Sequence, residues 1–140
     1  MEENLNPEMN CRLIPMAGSP VQAGPPTTAY DSIDARLDIH EYVVKHPAAT
    51  FFVRVEGDSM KEAGIYSGDI LVVDRSVKAS HGKIVVAIVN GEFTVKKLVV
   101  TSSGVVLQAA NPKFSSIKLD PKNSDFQVWG VVTSLIRKYE

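Results

Sequence analysis

A single cysteine, Cys11, is all that 140 residues offer for disulfide chemistry, so an internal disulfide framework is excluded. It lies in a tail-like stretch, where it reads as a spare thiol. Only three histidines are present, His40, His46 and His81. None stands with cysteine or carboxylate at ligand spacing, so neither a metal nor another cofactor is expected. Charge of either sign is not in excess: 15 basic and 16 acidic side chains leave a formal charge of -1. No overall field therefore draws the chain to nucleic acid or anionic lipid. No apolar run approaches the roughly 20 residues of a bilayer span. The acidic opening Met1-Glu2-Glu3-Asn4 is unlike a secretory signal, and a cytoplasmic protein with no membrane partner is expected. The length suits one domain with a real core, and the apolar fraction of 44% fits a globular fold.

Proline and glycine are unevenly spread. Pro7, Pro15, Pro20, Pro25 and Pro26, with Gly18 and Gly24, crowd the first 30 residues. Missing amide donors and a high ordering entropy predict a flexible arm over 1–30, with a folded domain over 31–140. Leu13, Ile14, Met16 and Val21 are apolar points that could anchor this arm. Asp38 opens a short helix, with Glu41 three residues on completing a capping box. Ile39, Tyr42, Val43 and His46 recur at helical spacing, and Pro47 stops the run. The rest predicts strands at 50–55, 70–73, 83–89, 92–100, 105–109 and 126–136, the last bent at Gly130. Asn90-Gly91 is the preferred two-residue hairpin turn. Short strands, tight turns and one short helix define a compact, mostly β domain, largely antiparallel.

Chemistry concentrates at Glu56-Gly57-Asp58-Ser59-Met60 and, 37 residues after the serine, at Lys96. A serine hydroxyl becomes a nucleophile only when a base takes its proton. A glycine-containing loop can expose Ser59 and turn the backbone amides of Ser59 and Met60 toward a developing oxyanion. Such serines are more commonly turn residues or caps, and Met60 could equally be an apolar plug. His81 lies in the turn-like Ala79-Ser80-His81-Gly82, while His40 and His46 belong to the helix as packed or solvated residues. A lysine is the more physical base: burial disfavours the ammonium form and leaves a neutral amine able to accept the proton. Strand alternation proposes a lysine in Thr94-Val95-Lys96-Lys97-Leu98 but leaves Lys96 and Lys97 open.

In order and spacing, several stretches resemble the LexA/UmuD family of self-cleaving serine-lysine proteases. They are Val21-Gln22-Ala23-Gly24, His46-Pro47-Ala48-Ala49-Thr50-Phe51-Phe52-Val53, Glu56-Gly57-Asp58-Ser59-Met60 and Gly68-Asp69-Ile70-Leu71-Val72-Val73-Asp74. Ala79-Ser80-His81-Gly82 and Gly91-Glu92-Phe93-Thr94-Val95-Lys96-Lys97-Leu98 complete the set. The resemblance covers nearly the whole chain and implies the LexA C-terminal-like protease fold. It implies Ser59 as nucleophile, Lys96 as general base and Ala23-Gly24 as the bond cut. Ala17-Gly18 has the same dipeptide but stands six residues too early. Pro25 follows the glycine where the family usually carries a bulkier apolar residue.

The resemblance further implies a homodimer, stimulation of self-cleavage by a RecA filament on single-stranded DNA, and a Y-family DNA polymerase catalytic subunit as partner. The setting it implies is synthesis across damaged template in the SOS response. Dimer contacts in many members lie near the C-terminal part. The apolar stretch Val128-Trp129-Gly130-Val131-Val132 fits either such an interface or a core strand. A short arm stands where LexA-type repressors carry a helix-turn-helix, so direct sequence-specific DNA binding is not expected. A competing reading is a polymerase-regulating adaptor that works by binding alone. A signal peptidase with related chemistry is disfavoured because no membrane anchor is read in the sequence.

Overall fold

The structure, a computed structural model, describes residues 12–26, 33–119 and 125–140. Cys11 and the acidic opening lie outside the described residues. Two units divide the chain, residues 1–45 and 46–140. In the first, strand β1 (Leu13–Ala17) pairs antiparallel with β2 (Ile33–Asp38), setting Pro15 opposite Arg36. The proline-rich arm thus contains a strand that composition did not suggest. A two-stranded sheet consists only of edges, where a sheet tolerates a residue without an amide proton.

Helix α1 (Ile39–Val43) follows directly. Asp38 caps it as expected, its Oδ1 accepting from the Glu41 amide at 3.2 Å. The helix ends at Val43, earlier than Pro47 required, so His46 leaves the helical face. It precedes a 3-10 turn, Pro47–Ala49, and its carbonyl accepts from the Thr50 hydroxyl at 2.7 Å.

The second unit is one seven-stranded antiparallel sheet ordered β3-β4-β9-β5-β6-β7-β8. Its strands are β3 (Thr50–Arg54), β4 (Ile70–Asp74), β5 (Ile84–Val89), β6 (Glu92–Thr101), β7 (Gly104–Gln108), β8 (Ile117–Leu119) and β9 (Phe126–Ile136). The nearly continuous apolar runs of β4 and β5 are explained by burial on both faces. Alternate residues of β5 serve two cores: Val86 packs with Val55, Met60, Ile65, Leu71 and Val73, while Val85 and Ala87 pack with Leu98, Leu107 and Val131. Between β5 and β6, Asn90 and Gly91 take φ of 50° and 81°, the positive pair that a tight hairpin needs.

β9 lies inside the sheet between β4 and β5, which makes 128–132 a core strand of this chain. Its register shifts twice, opposite Val72/Val73 and opposite Val86/Ala87 beside Gly130. A Cβ at Gly130 would stand 2.5 Å from Val73 Cγ1, so glycine here allows two strands to approach. Beyond β9, Arg137 closes a fork on buried Asp69, with both contacts at 2.6 Å. That ties the C-terminal end to the loop before β4.

Candidate active site

The loop joining β3 to β4 carries Ser59. Its base is a continuation of the ladder: Val55 N–H donates to the Asp69 carbonyl at 2.9 Å, and Gly68 N–H to the Val55 carbonyl at 2.8 Å. Gly57 turns the chain at φ 95°, a conformation that side chains resist, and its amide donates to Ser67 Oγ at 3.2 Å. Met60 is only 2% exposed and packs into the first core. The apolar-plug reading of Met60 is therefore correct, and it serves the neighbouring serine: a buried anchor fixes where half-buried Ser59 stands.

Lys96 sits on β6 opposite Val85. The two-residue period sends Thr94 and Lys96 to one side and Lys97 to the other. Lys96 is 8% exposed, whereas Lys97 faces solvent, a difference in burial that alternation could not give. The Lys96 amine reaches Ser59 Oγ at 3.0 Å, Thr94 Oγ1 at 2.9 Å and the Val95 carbonyl at 3.1 Å. Among the described residues no carboxylate pairs with it. Burial without a counter-charge holds its pKa below the ordinary 10.5. A neutral amine has two N–H donors and one lone pair. In that form Val95 O and Thr94 Oγ1 would accept the two protons and leave the lone pair for the serine hydroxyl.

Serine and lysine open into a cleft of about 630 Å³. Its apolar walls include Val53, Phe93, Phe114 and Trp129. Trp129 is braced by Phe51 at 5.1 Å and edge-on by Phe93 at 5.7 Å. The amides of Ser59 and Met60, the candidate oxyanion donors, donate to no other described residue.

The rival bases are engaged elsewhere. His81 Nδ1 accepts from the Val100 amide at 3.0 Å. His46 Nδ1 contacts Asp74 Oδ2 at 2.6 Å, across 28 residues. Asp74 also accepts from the hydroxyl and amide of Ser76 at 2.6 and 2.8 Å. Ser76 and then His46 hold its pKa down to about 2. His40 lies on α1 in the first unit. Among the described residues no group of histidine, cysteine and carboxylate could hold a metal, and no helix is long and apolar enough to cross a membrane. Ala23 and Gly24 belong to the first unit, in an exposed bend after β1.

Residues 15–133 match the family described as Peptidase S24-like. The chain belongs to the S24-like peptidases. It is 46% identical over 120 residues to protein MucA of Salmonella typhimurium, covering 86% of this chain and 82% of MucA. Protein ImpA of Escherichia coli is 42% identical over 125 residues, covering 89% and 83%. The LexA repressor of Colwellia psychrerythraea is 37% identical over 124 residues, covering 89% of this chain and 58% of the repressor.

In this S24-like peptidase two partners of the site escaped sequence reasoning. Thr94 braces the amine, and Ala110-Asn111 holds the serine loop through Ala110 N–H to Ser59 O and Asn111 Nδ2 to Asp58 O, both at 2.8 Å. Thr94 was within reach, since a hydroxyl two residues before a buried lysine shares its side of the strand. Asn111 was not, because 53 residues separate it from Asp58.

Proposed function

We propose that this chain is a self-cleaving serine endopeptidase with a serine-lysine dyad, cutting its own Ala23-Gly24 bond. The observation that carries the reading is the buried, unpaired Lys96 amine 3.0 Å from Ser59 Oγ. The neutral amine takes the hydroxyl proton as Oγ attacks the Ala23 carbonyl carbon. The amides of Ser59 and Met60 receive the oxyanion. The Lys96 ammonium then protonates the Gly24 nitrogen, that amine leaves, and water, deprotonated by the same lysine, hydrolyses the Ala23 ester. Tethering makes weak substrate binding sufficient, and the 35 residues from Gly24 to Ser59 can reach the site of the same subunit or a partner's.

Kinship with MucA, ImpA and the LexA repressor supports the setting. In it, a cytoplasmic homodimer is stimulated by a RecA filament on single-stranded DNA. The shortened product is the regulatory subunit of an error-prone Y-family polymerase in the SOS response to DNA damage. Residues 1–30 act as the cleavable arm and 31–140 as the protease and dimerisation domain. The test is intact mass after incubation with RecA, single-stranded DNA and nucleotide, with Ser59→Ala alongside. A product beginning at Gly24 from the parent alone is expected. An uncut parent, under conditions that cut a related positive control, overturns the catalytic reading and leaves a binding adaptor.

A further inference from the structure

A trans peptide plane points its carbonyl and its amide proton in opposite directions, so a partner that holds one aims the other. Two such planes flank Ser59, and no described peptide is cis. The first joins Asp58 to Ser59; its carbonyl accepts from Asn111 Nδ2 at 2.8 Å and from Lys61 N–H at 3.2 Å. The second joins Ser59 to Met60; its carbonyl accepts from Ala110 N–H at 2.8 Å, while Glu62 N–H donates back to Ala110 O at 2.7 Å. The 110–111 segment therefore runs along one side of the loop, and both amides of the planes it holds face away from it. Ser59 and Met60 line the cleft, whereas Asn111 and Pro112 line an adjoining depression with Lys61 and Glu62, Asp58 and Phe114 standing between the two.

Asn111 is itself held in place. Its Oδ1 accepts from Lys113 N–H at 3.0 Å and its carbonyl from Phe114 N–H at 3.1 Å, which leaves Nδ2 to donate toward Asp58. Pro112 disfavours helical backbone at the residue before it, so the chain does not coil away from the loop at Asn111. The geometry points to Asn111 as the positioning residue that aims the oxyanion-binding amide of Ser59 into the cleft, an inference that rests on the serine-lysine reading above. Asn111 touches no reacting atom; it acts through the Asp58-Ser59 peptide plane.

The test compares unassisted self-cleavage, by intact mass across alkaline pH, in the parent, Asn111→Asp, Asn111→Ala and Ser59→Ala chains. Asn111→Asp keeps the acceptor for Lys113 and replaces only the donor, with an oxygen that repels the Asp58 carbonyl. Folded variants are expected to cleave roughly 10- to 100-fold more slowly at every pH, as loosened oxyanion support implies. In Asn111→Ala the pH midpoint set by Lys96 stays where it was, because the base is untouched and no charge is added, whereas the new carboxylate of Asn111→Asp favours the ammonium and moves the midpoint up. The amide NMR shift of Ser59 moves in either folded variant. Cleavage within about threefold of the parent, far from the loss an oxyanion donor brings, overturns the proposal. So does a displaced midpoint in Asn111→Ala, or an unmoved Ser59 amide. A parent that never cuts overturns the serine-lysine reading and this inference with it; a cutting parent with unaffected variants overturns the role of Asn111 alone.

Discussion

On the proposed serine-lysine reading, the pH dependence of self-cleavage follows from the surroundings of one amine. Lys96 is buried, has no counter-charge among the described residues, and meets two acceptors besides Ser59. A lysine at its ordinary 10.5 is neutral in about one molecule per thousand at pH 7.5. Burial penalises the ammonium, lowers the pKa and raises that fraction. Below the midpoint the cleavage rate then climbs about tenfold per pH unit, because the reactive species is the neutral amine. The climb levels at a midpoint under 10.5. Lys96→Ala lowers the rate roughly 10²- to 10⁴-fold, the usual worth of a positioned base, and flattens the profile. Lys96→Met loses cleavage to the same extent but melts no lower than the parent, since a methionine there buries no charge. The assay is intact mass against time without RecA from pH 7 to 11, with a melt recorded at each pH. A rate indifferent to pH through the lysine titration, or a midpoint at or above 10.5, refutes the reasoning.

Three further outcomes concern the scaffold. Gly130→Ala drives a methyl to 2.5 Å from Val73 Cγ1; overpacking of this kind costs about 1–3 kcal/mol and should lower the melting point by several degrees. Arg137→Ala strands buried Asp69 and lowers the melting point, and adding Asp69→Asn recovers part of the loss; a double variant no better than the single one refutes an ionic origin. Asp74 has a folded pKa of about 2, below its ordinary 3.8, so its stabilisation is complete above 3.8 and disappears as pH falls through about 2. Denaturant melts of Asp74→Asn should be weaker near neutrality and lose that acid-range slope, and an unchanged slope refutes the assignment.

Local chemistry made much of the scaffold legible. Asp38 and Glu41 announced the helix start, Asn90-Gly91 the hairpin, and alternation or continuous apolar runs most of the large sheet. Other elements depended on partners far along the chain. β1 looked like loop because Pro15 and its neighbours suggest a mobile arm, yet it gains order by pairing with β2, about 20 residues on. β8, three residues long, has too few positions to display a period. His46 matched the helical face by spacing, but an earlier helix end released it to Asp74.

The candidate site divides along the same line. Sequence alone specified the residue types: a serine in a glycine-containing loop, a lysine on an alternating strand, a small-residue dipeptide in a proline-rich arm. Motif order and spacing then pointed to the family to which the chain belongs. Tertiary structure decided which lysine is buried, that its amine meets Ser59, that Thr94 shares it, and that Asn111 holds the serine loop. The physical reason is range. Turn and cap preferences are set by neighbours a few residues away, whereas desolvation of an amine and the aim of a peptide plane are set by groups that only folding brings within hydrogen-bond distance.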